Sequence, residues 1–496
     1  MQEVELKLQV AGPARSAVDE AVAGRKPARR TRLQALYVDT PDALLSRNGL
    51  ALRVRREGRD WVQTLKGAGA DTLTRFEHNV RLLAQPDGRA PDVDPALHRG
   101  TAAGDRLLAL LGHDGPATLA VRYRTDVLRR TRLLRAAGAQ IELAFDTGAI
   151  AAGVGTGANE ASWPLCELEL ELVGGEPSAL LDLARQWIRR HGLWIDTRSK
   201  AERGDLLARG SRIAPARHSQ PVLLSRELTL HGAWRLVLHE CVDQIVRNAS
   251  QIASGEHGDE HVHQLRVGLR RLRSACKLFE SVPSAAALPD GAAALFRALG
   301  VSRDQLVVDT AFAAELGSAL ARVGAEPAAA RPHRDPALST ELLRSEETQM
   351  LLLGLIEASL EPDSSAASTS LVDNLARRLK RWHKQAAADA RRFGELDDAQ
   401  RHRLRKRIKR LRYAVEFSAG LFDRKAVRRY LKPLRALQER LGEISDVIVA
   451  IDALRSNGSP RDTQEWFALG WLSARRVALI AQGGAELKAF AKADVF

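Results

Sequence analysis

The sequence predicts an α+β protein in which a closed antiparallel β barrel comes first and an all-α domain follows. Two patterns in the chain lead to this prediction. Up to about residue 205, charged and apolar residues alternate in short runs, and an alternation of period two is typical of β-strands. From about residue 222, the chain is rich in Ala, Leu and Arg at helical spacing, and one basic segment occurs twice.

The first strand is predicted at the N-terminus, in the run Glu-Val-Glu-Leu-Lys-Leu. Successive side chains of a strand point to opposite faces, so Glu3, Glu5 and Lys7 share one face. The other face carries the apolar residues Val4, Leu6 and Leu8. Two acids and a base side by side suit a site that holds a metal ion against a phosphate.

Four later segments repeat this alternation, and their charged faces are partly segregated by sign. Residues 53–55 are basic and residues 167–171 are acidic, while 75–77 and 142–146 add further charges. An ordinary antiparallel sheet with its charged face in water is the common alternative. A solvated face usually mixes signs, however, because like charges side by side repel. Segregation favours a closed barrel whose lumen binds a polyanion through Arg and Lys and a divalent cation through carboxylates.

Residues 1–205 resemble the CYTH domain, the triphosphate tunnel metalloenzyme family. The opening Glu-x-Glu-x-Lys is the hallmark of that family, and further matching elements follow in the family's order. The matching residues are Glu3, Glu5, Lys7, Arg53, Arg55, Lys66, Arg75, Glu77, Arg129, Glu142, Asp146, Glu167, Glu169, Glu171 and Lys200. The resemblance implies an eight-stranded antiparallel β tunnel with helices packed outside.

The resemblance also implies a role for most of these residues. The triphosphate would be held by Arg53, Arg55, Lys66, Arg129 and Lys200. One or two Mg²⁺ or Mn²⁺ ions would be bound by Glu3, Glu5, Asp146, Glu167 and Glu169. Catalysis would involve Lys7, Arg75 and Glu77, of which Lys7 and Glu77 would orient the substrate or the attacking water. Phosphoryl transfer needs neutralised charge and in-line positioning more than covalent catalysis, which agrees with this set. The sequence leaves open which acid is the general base.

A segment rich in Gly, Pro, Ser and Arg, residues 206–221, predicts a linker between two domains. The helical part that follows contains an internal repeat. The segment that begins at His263 superposes without gaps on the segment that begins at His402. Each copy is followed by Leu-Gly and, after three more residues, by an Asp, at Asp304 and Asp446.

Helix geometry places the basic residues of each copy along one stripe. The basic stripes are His263, Arg266, Arg270 and Arg273 in the first copy and His402, Arg405, Lys409 and Arg412 in the second. The apolar stripes are Leu265, Leu269, Leu272 and Cys276 in the first copy and Leu404, Ile408, Leu411 and Val415 in the second. A basic stripe is usually just a solvated face with interleaved acids. Where acids are scarce, the cations repel one another unless a polyanion binds.

Residues 222–496 resemble the CHAD domain, the conserved-histidine α-helical domain, whose pattern is this duplicated His-x-x-Arg helix. The resemblance implies two halves, each like a four-helix bundle, at about residues 222–330 and 338–496. It also implies a basic groove that binds inorganic polyphosphate through the two basic stripes. Arg303 and Asp304 match the Arg-Asp pair that the family places downstream.

The histidines of the two stripes have a competing interpretation as metal ligands. A zinc site needs several clustered ligands, and neither His263 nor His402 has a second His or Cys four residues later. We therefore expect both histidines to contact phosphate or to orient the helix, and we do not expect them to bind a metal.

Composition predicts an acidic partner and a reducing compartment. The 496 residues carry a formal net charge of +14, and the pI is about 10.1. The three cysteines are scattered, so neither a disulfide framework nor a zinc site is expected, which predicts a cytoplasmic protein, with polyphosphate granules as one location. A strand that begins at residue 2 leaves no room for a signal peptide. No apolar run reaches the ~20 residues that span a bilayer, so no membrane partner is expected.

Together, the two resemblances imply a metal-dependent hydrolase that cleaves inorganic triphosphate to pyrophosphate and phosphate, joined to a polyphosphate-binding module. The choice of inorganic triphosphate rests on the resemblance of the CYTH–CHAD pair to bacterial inorganic triphosphatases. Thiamine triphosphate, or a nucleotide in a reaction of the adenylate cyclase type, remains open as the substrate.

Two non-enzymatic alternatives also remain. A polyphosphate-granule protein with an inert tunnel is disfavoured, because the acidic and basic tunnel positions are all present. Nucleic-acid binding through the Arg-rich helices is the other alternative. Single-strand binding usually adds aromatic stacking platforms, and aromatic residues make up only 5% of this chain. Backbone-only binding to a duplex stays open, and competition between polyphosphate and DNA would test it.

Overall fold

The fold is that of a computed structural model of the chain. It describes residues 2–24, 28–69, 71–112, 118–153, 160–300, 312–324, 336–362, 370–456 and 463–495. Arg303 and Asp304 lie outside these described residues.

Strands of the N-terminal part form one antiparallel sheet that closes on itself. They are β1 (Gln2–Gln9), β2 (Arg29–Asp39), β3 (Leu50–Glu57), β4 (Asp60–Ala68), β5 (Thr74–Leu82), β6 (Ala120–Ala136), β7 (Ala139–Ala152), β8 (Ala161–Gly174) and β9 (Trp194–Ile195). The spatial order is β5-β4-β3-β2-β6-β7-β8-β1, and pairing of β1 with β5 completes an eight-stranded barrel. The short β9 also pairs with β1. The predicted barrel is confirmed.

Helices flank the barrel and dominate the chain after it. The first are α1 (Arg15–Ala23), α2 (Leu44–Arg47), α3 (Ala102–Leu111), α4 (Pro177–His191) and α5 (Lys200–Ala208). The later ones are α6 (Leu230–Ala253), α7 (Asp259–Leu278), α8 (Pro283–Ala287), α9 (Pro289–Ala298), α10 (Ala313–Arg322), α11 (Pro336–Arg344), α12 (Glu346–Leu360), α13 (Leu371–Arg391), α14 (Asp398–Phe417), α15 (Arg424–Ser456) and α16 (Thr463–Ala491). The predicted helical region after the barrel is confirmed. Within the described ranges, no helix has both the length and the apolar character needed to cross a bilayer.

Strand register places the alternating charges on the inner face of the barrel. Lys7 lies opposite Glu169, and Arg129 lies opposite Asp146. Residues that lie opposite each other on neighbouring antiparallel strands project from the same face. The intervening residues, such as Leu8, face the other way and are fully buried. Closure of the sheet therefore gathers the charged faces predicted from sequence into one lumen.

Helix α4 covers the apolar outer face of β1, β7 and β8. It begins with Pro177, whose missing N–H is not needed in a first turn, and Gly192, with a positive φ of 63°, caps its C-terminal end. Its buried residues are Ala179, Leu180, Leu181, Leu183, Ala184, Trp187 and Ile188. Burial of this stripe holds the helix on the barrel.

Helix α5 packs on lumenal residues of the barrel. Ser199 and Glu202 form a reciprocal capping box that fixes its first turn. Leu207 packs in an apolar cluster that includes Tyr37 and Tyr123 of the barrel. The helix is thereby anchored so that Lys200, its first residue, reaches the charged part of the lumen.

Packing divides the chain into two compact units. The first consists of Met1–Arg217, Asp243–Leu265 and Ala337–Leu360, and the second of His218–Val242, Arg266–Pro336 and Glu361–Phe496. The unit that contains the barrel therefore includes helical residues that follow the predicted linker.

In the first unit, these helical residues provide a hydrogen-bond acceptor for a backbone N–H of β9. The backbone N–H of Ile195 donates to Oε1 of Gln349 at 2.8 Å. Gln349 is only 1% exposed and donates to the carbonyl of Leu343 at 2.6 Å. The guanidinium of Arg344 lies 4.1 Å from the centre of the Trp194 ring, within cation–π range. Gln349 thus supplies the acceptor that a buried N–H requires.

In the second unit, the apolar stripe predicted for the second copy is buried. Leu404, Ile408 and Leu411 have no exposed surface. Helix α14, which carries them, starts with a capping box between Asp397 and Gln400. It packs against α13 and α15, and α16 packs against the same two helices.

Replacement of Gln349 by Leu is expected to lower the free energy of unfolding by about 1–3 kcal/mol, because the buried N–H of Ile195 loses its acceptor. Chemical denaturation followed by circular dichroism measures the change. Gln482→Leu, at an exposed position of α16, is the matched control and should leave the denaturation midpoint unchanged. Equal midpoints for the two variants would contradict a structural role for Gln349.

Candidate active site

The lumen contains a cavity of about 670 Å³ whose wall is rich in charged side chains. The sequence-predicted residues in this wall are Glu3, Glu5, Lys7, Arg53, Arg55, Lys66, Arg75, Glu77, Arg129, Asp146, Glu169 and Lys200. Glu167, the remaining predicted tunnel residue, is fully buried beside the cavity. Residues from seven strands and from α5 are thus brought together around one space.

Asp146, Glu167 and Glu169 form an acidic cluster in which one oxygen of each lies within 4.8 Å of the others. Asp146 on β7 lies opposite Glu167 on β8, and Glu169 follows on the same face of β8. The Nζ atom of Lys200 lies 2.7 Å from Asp146 and 2.8 Å from Glu169, and it also contacts Glu167. The first turn of α5 therefore places an ammonium group at the centre of three carboxylates.

Two arginines complete the charge compensation of this cluster. Arg129 forms a bidentate pair with Asp146 at 2.7 and 2.6 Å and also contacts Glu169. Arg203 of α5 is buried and pairs with Glu167. Burial alone would raise the pKa of Asp146 and of Glu169, but the neighbouring cations outweigh it and lower both values. Two buried acids and one partly buried acid are thus matched by three cations, as charges removed from water require.

Two other acids, Glu3 on β1 and Glu171 on β8, are compensated less completely. Burial raises the pKa of Glu3 to about 7 despite Lys66, because Glu77 and Glu171 add negative potential. Burial, together with Glu142, also raises the pKa of Glu171. Negative charge is therefore in excess on this side of the lumen.

Glu77 is held as a carboxylate. It pairs with Lys66 and accepts a hydrogen bond from Nδ2 of Asn79 at 2.8 Å. Burial would raise the pKa of Glu77, but Lys66 and Arg53 lower it to about 2. At neutral pH Glu77 is therefore an acceptor that fixes the Lys66 ammonium.

Lys7 and Arg75 both approach Glu5. The Nζ atom of Lys7 lies 3.1 Å from Oε1 of Glu5, and Nε of Arg75 lies 3.9 Å from the same oxygen. Burial would raise the pKa of Glu5, but Lys7 and its other cationic neighbours lower it. This shared carboxylate orients two of the cations that the sequence predicts to act in catalysis.

Arg53 and Arg55 form a cationic wall on β3. Nη1 of Arg53 donates to the hydroxyl of Tyr37 at 3.0 Å, and Arg55 pairs with Glu57. Burial and the charge of Arg53 lower the pKa of Arg55 to about 10. Because Arg53 and Arg55 repel each other and are largely removed from water, an anion bound between them would be stabilising.

The acids of the lumen fit a hard divalent cation. Carboxylate oxygens are the ligands that Mg²⁺ and Mn²⁺ prefer. Asp146 and its two neighbours form the tightest acidic cluster, but Lys200 and the arginines already balance it. The excess of acid around Glu3 and Glu171 makes that side the electrostatically better place for a cation.

Sequence reasoning missed several residues of the site. Arg203 lies three residues after Lys200, so helical spacing alone could have placed it on the same face. Glu171 was matched to the family but not assigned as a ligand. Arg247 of α6 lines the cavity and lies 2.7 Å from Asp243, yet no local pattern marks it.

The basic stripe of the first helical copy is partly occupied by protein contacts. Arg266 is buried, donates to the carbonyl of Leu299 at 2.6 Å and lies 4.6 Å from the centre of the Phe296 ring. Arg270 lies over the same ring at 5.6 Å. His263 is half-buried and Arg273 is exposed. Arg273 is therefore the most accessible cation of this stripe.

In the second stripe, too, some cations contact protein groups and others are accessible to solvent. Arg412 donates to Gln438 and to Glu416, both at 2.6 Å. Arg405 lies 4.0 Å from Asp446, the acid that follows the repeated Leu-Gly. In the same copy, Lys409 is half-buried and His402 is exposed.

Arg271, outside both predicted stripes, has a structural role. It is buried, lies 3.9 Å from Glu416 and stands over the Phe417 ring at 4.8 Å. The repeat aligned it with Arg410, which lies 4.6 Å from the centre of the Trp382 ring. Arginines at this repeat position pack on aromatic rings.

Comparisons with known proteins match two families, one for each part of the chain. The CYTH domain family matches residues 1–204, and the CHAD domain family matches residues 236–455. An inorganic triphosphatase of Haemophilus influenzae is 29% identical over 176 residues, which is 34% of this chain and 44% of that protein. The chain thus aligns with less than half the length of that relative.

Solved structures with similarity to the chain include the CHAD domain from the plant Ricinus communis. It is 30% identical, with a TM-score of 0.45, and the match covers 56% of this chain and 97% of that one. A putative adenylyl cyclase from Hippeastrum, described as having a dominant triphosphatase activity, is 16% identical. That match has a TM-score of 0.28 and covers 42% of this chain and 96% of the plant protein.

Replacement of Gly204 by Ala is expected to lower the free energy of unfolding by about 1–3 kcal/mol through overpacking of α5 against the barrel. A Cβ atom at this position would lie 2.2 Å from the Tyr123 ring. Denaturation of the purified variant measures the change. The control is Gly354→Ala in α12, where a Cβ atom would meet open space and helix propensity should add up to about 1 kcal/mol of stability. A Gly204 variant as stable as the control would contradict the tight approach of α5.

Proposed function

Because the chain carries a CYTH domain over residues 1–204 and a CHAD domain over residues 236–455, we propose that it is a metal-dependent inorganic triphosphatase that also binds polyphosphate. The tunnel would hydrolyse inorganic triphosphate to pyrophosphate and phosphate. The helical domain, about residues 222–496, would bind inorganic polyphosphate. Residues 206–221 would form the linker between the two.

One observation carries the proposal: a single cavity holds both a set of cations suited to a polyanion and a set of acids suited to a metal. Arg53, Arg55, Lys66, Arg129 and Lys200 are the cations proposed to hold the triphosphate. Their fixed positions supply charge neutralisation and alignment, which are the main demands of phosphoryl transfer.

A divalent cation, Mg²⁺ or Mn²⁺, is proposed to be held by acids from Glu3, Glu5, Asp146, Glu167 and Glu169, with Glu171 added on electrostatic grounds. When bound, such a metal activates water and neutralises charge on phosphate oxygens. The chain's own part is to present these carboxylates, of which Glu3 and Glu171 are the least compensated by neighbouring cations. The raised pKa of Glu3 and of Glu171 supports that assignment, because a bound cation would offset the burial and the neighbouring negative charges that raise both values.

Lys7, Arg75 and Glu77 are proposed to position the reacting groups. Lys7 and Arg75 share Glu5, so they are held beside one proposed metal ligand. Glu77 stays ionised and holds Lys66 in place, so it would orient a phosphate-binding cation rather than donate a proton.

Inorganic triphosphate is preferred over a nucleotide because the described wall of the cavity offers no free aromatic surface. Its aromatic residues are Tyr37 and Tyr123, and their rings stack on each other with centroids 4.7 Å apart. A nucleobase usually needs an aromatic face or base-edge hydrogen bonds. Thiamine triphosphate is less favoured for the same reason.

Polyphosphate binding by the helical domain is proposed from the accessible part of its basic stripes. Arg273 and His402 are exposed and Arg405 is partly exposed, whereas Arg266 and Arg412 already donate hydrogen bonds to protein groups. Arg266 and Arg412 would fix the helices, and the exposed and partly exposed cations would meet the phosphates. The free thiols of all three cysteines agree with a cytoplasmic location, with polyphosphate granules as one site of action.

The first expected outcome is metal-dependent phosphate release. Inorganic triphosphate should be hydrolysed with Mg²⁺ or Mn²⁺, faster than ATP or thiamine triphosphate, and EDTA should stop the reaction. Glu5→Gln and Lys66→Ala should each lower turnover by about 100-fold or more, because each removes a charge aimed at the reacting groups. A colorimetric phosphate assay measures the rates.

The controls for this assay are Glu160→Gln and Lys425→Ala, which change the same residue types at exposed positions. Both should keep wild-type rates. Absence of turnover on all three substrates with either metal would rule out the enzyme and favour a non-catalytic polyphosphate-binding protein.

The second expected outcome concerns the helical domain. Arg273→Glu combined with Arg405→Glu should weaken polyphosphate binding by at least about tenfold, since two charge-assisted contacts are lost, and leave triphosphate hydrolysis intact. Binding to immobilised polyphosphate measures the affinity, and competition by duplex DNA tests nucleic acid as the partner. The pair Arg392→Glu with Arg424→Glu makes the same change in net charge elsewhere. An equal loss of polyphosphate affinity in both double variants would indicate a general effect of charge. It would contradict the assignment of the basic stripes as the binding surface.

A further inference from the structure

A second cavity, of about 420 Å³, lies at the start of β2. We call it the arginine notch, and its lining residues are Arg29, Arg30, Thr31, Arg32, Gln34, Arg56 and Gly58. Arg29 and Thr31 also line the tunnel cavity, so the notch adjoins the candidate active site. None of the notch residues belongs to the set predicted from sequence.

The notch exists because β2 is longer than its neighbour β3. Pairing of β2 with β6 begins at Arg29, whereas pairing of β2 with β3 begins only at Leu33, opposite Glu57. In the described structure, residues 29–32 therefore have a backbone edge that β3 does not cover. The N–H groups of an open sheet edge can contribute to a concave anion-binding site.

The acids beside the notch do not balance its cations. Arg32 forms a bidentate pair with Asp126 at 2.9 and 2.6 Å. Asp19 lies 3.7 Å from Arg30 but is shared with Arg130, whose Nε is 2.7 Å from it. The single negative charge of Asp19 is thus shared by two guanidinium groups.

The other two arginines of the notch have no ion pair among the described residues. Nε of Arg56 donates only to the carbonyl of Gly58, at 3.1 Å. Arg29 borders both cavities. Positive charge therefore continues from the tunnel wall into the notch, where it attracts polyanions over about one Debye length, roughly 8–10 Å.

Protection of the sheet edge is the simpler explanation of these arginines. Charged side chains at an open edge discourage pairing with other chains. That function needs charge alone, whereas the notch is concave, contains a hydroxyl and an amide besides its guanidiniums, and joins the phosphate-binding cavity. These features suit the recognition of a phosphoryl group.

We propose that the arginine notch binds a phosphoryl group of a linear inorganic polyphosphate whose end lies in the tunnel. The proposal rests on the proposed function and extends its substrate class to chains longer than triphosphate. Triphosphate would occupy the tunnel alone, and a longer chain would occupy the tunnel and the notch together. The notch would then select for chain length.

The test uses the full-length protein with Arg30→Gln and Arg56→Gln, because these two residues line the notch and not the tunnel cavity. Both the variant and its reference also carry Arg273→Glu and Arg405→Glu, so that binding to the helical domain is reduced. Isothermal titration calorimetry in EDTA compares triphosphate with a medium-chain polyphosphate. The notch variant should bind the longer chain about tenfold more weakly and triphosphate within about twofold, since two charged contacts are lost only for the longer chain.

The control pair is Arg81→Gln with Arg135→Gln, which removes two exposed arginines from β5 and β6. Equal affinities of the notch and control variants for the longer chain would overturn the proposal, as would loss of triphosphate and polyphosphate binding in parallel. Aggregation of the notch variant with unchanged affinity of its monomeric fraction would leave edge protection as the only function. Failure of the wild type to hydrolyse triphosphate would refute the proposed function without affecting this comparison, because the titration needs no turnover.

Discussion

Compensation of buried charge inside a closed barrel is the constraint on which the rest of the structure depends. Closure of the sheet turns every second residue of eight strands toward one lumen. Charges that would be solvated on an open sheet must then find partners, because unpaired buried charge is costly. Lys200 among Asp146, Glu167 and Glu169 meets this demand most completely. Where acids are left in excess, around Glu3, the lumen favours an added cation.

The key cation does not come from the barrel strands. Lys200 is the first residue of α5, and its position depends on a capping box and on Gly204, which lets the helix approach Tyr123. The chemistry of the lumen therefore depends on apolar packing of one short helix. Helical residues from beyond the predicted linker in turn support this unit, through the bond from Ile195 to Gln349.

The helical repeat shows how one residue type can serve two purposes. Arg266 and Arg412 lie at predicted polyphosphate-binding positions, yet both bond to protein groups. Arg271 packs on Phe417 as part of the core. An arginine-rich helix can thus be held together by cation–π contacts and a few shared acids such as Glu416. Only the exposed remainder of the stripe is available to a polyanion.

The sequence by itself determined the alternation of charge in β1 and β8, the order of barrel and helices, and the duplicated basic helix, because strand and helix periods are local properties. The resemblance to the CYTH family supplied the candidate tunnel residues, and the structure shows that all of them except Glu167 line one cavity. Only the tertiary structure decided which cation pairs with which acid and that Arg203 and Arg247 belong to the site. It also decided that β2 extends beyond the end of β3, which forms the arginine notch. These features depend on strand register, helix docking and contacts between residues far apart in the chain, which local patterns do not encode.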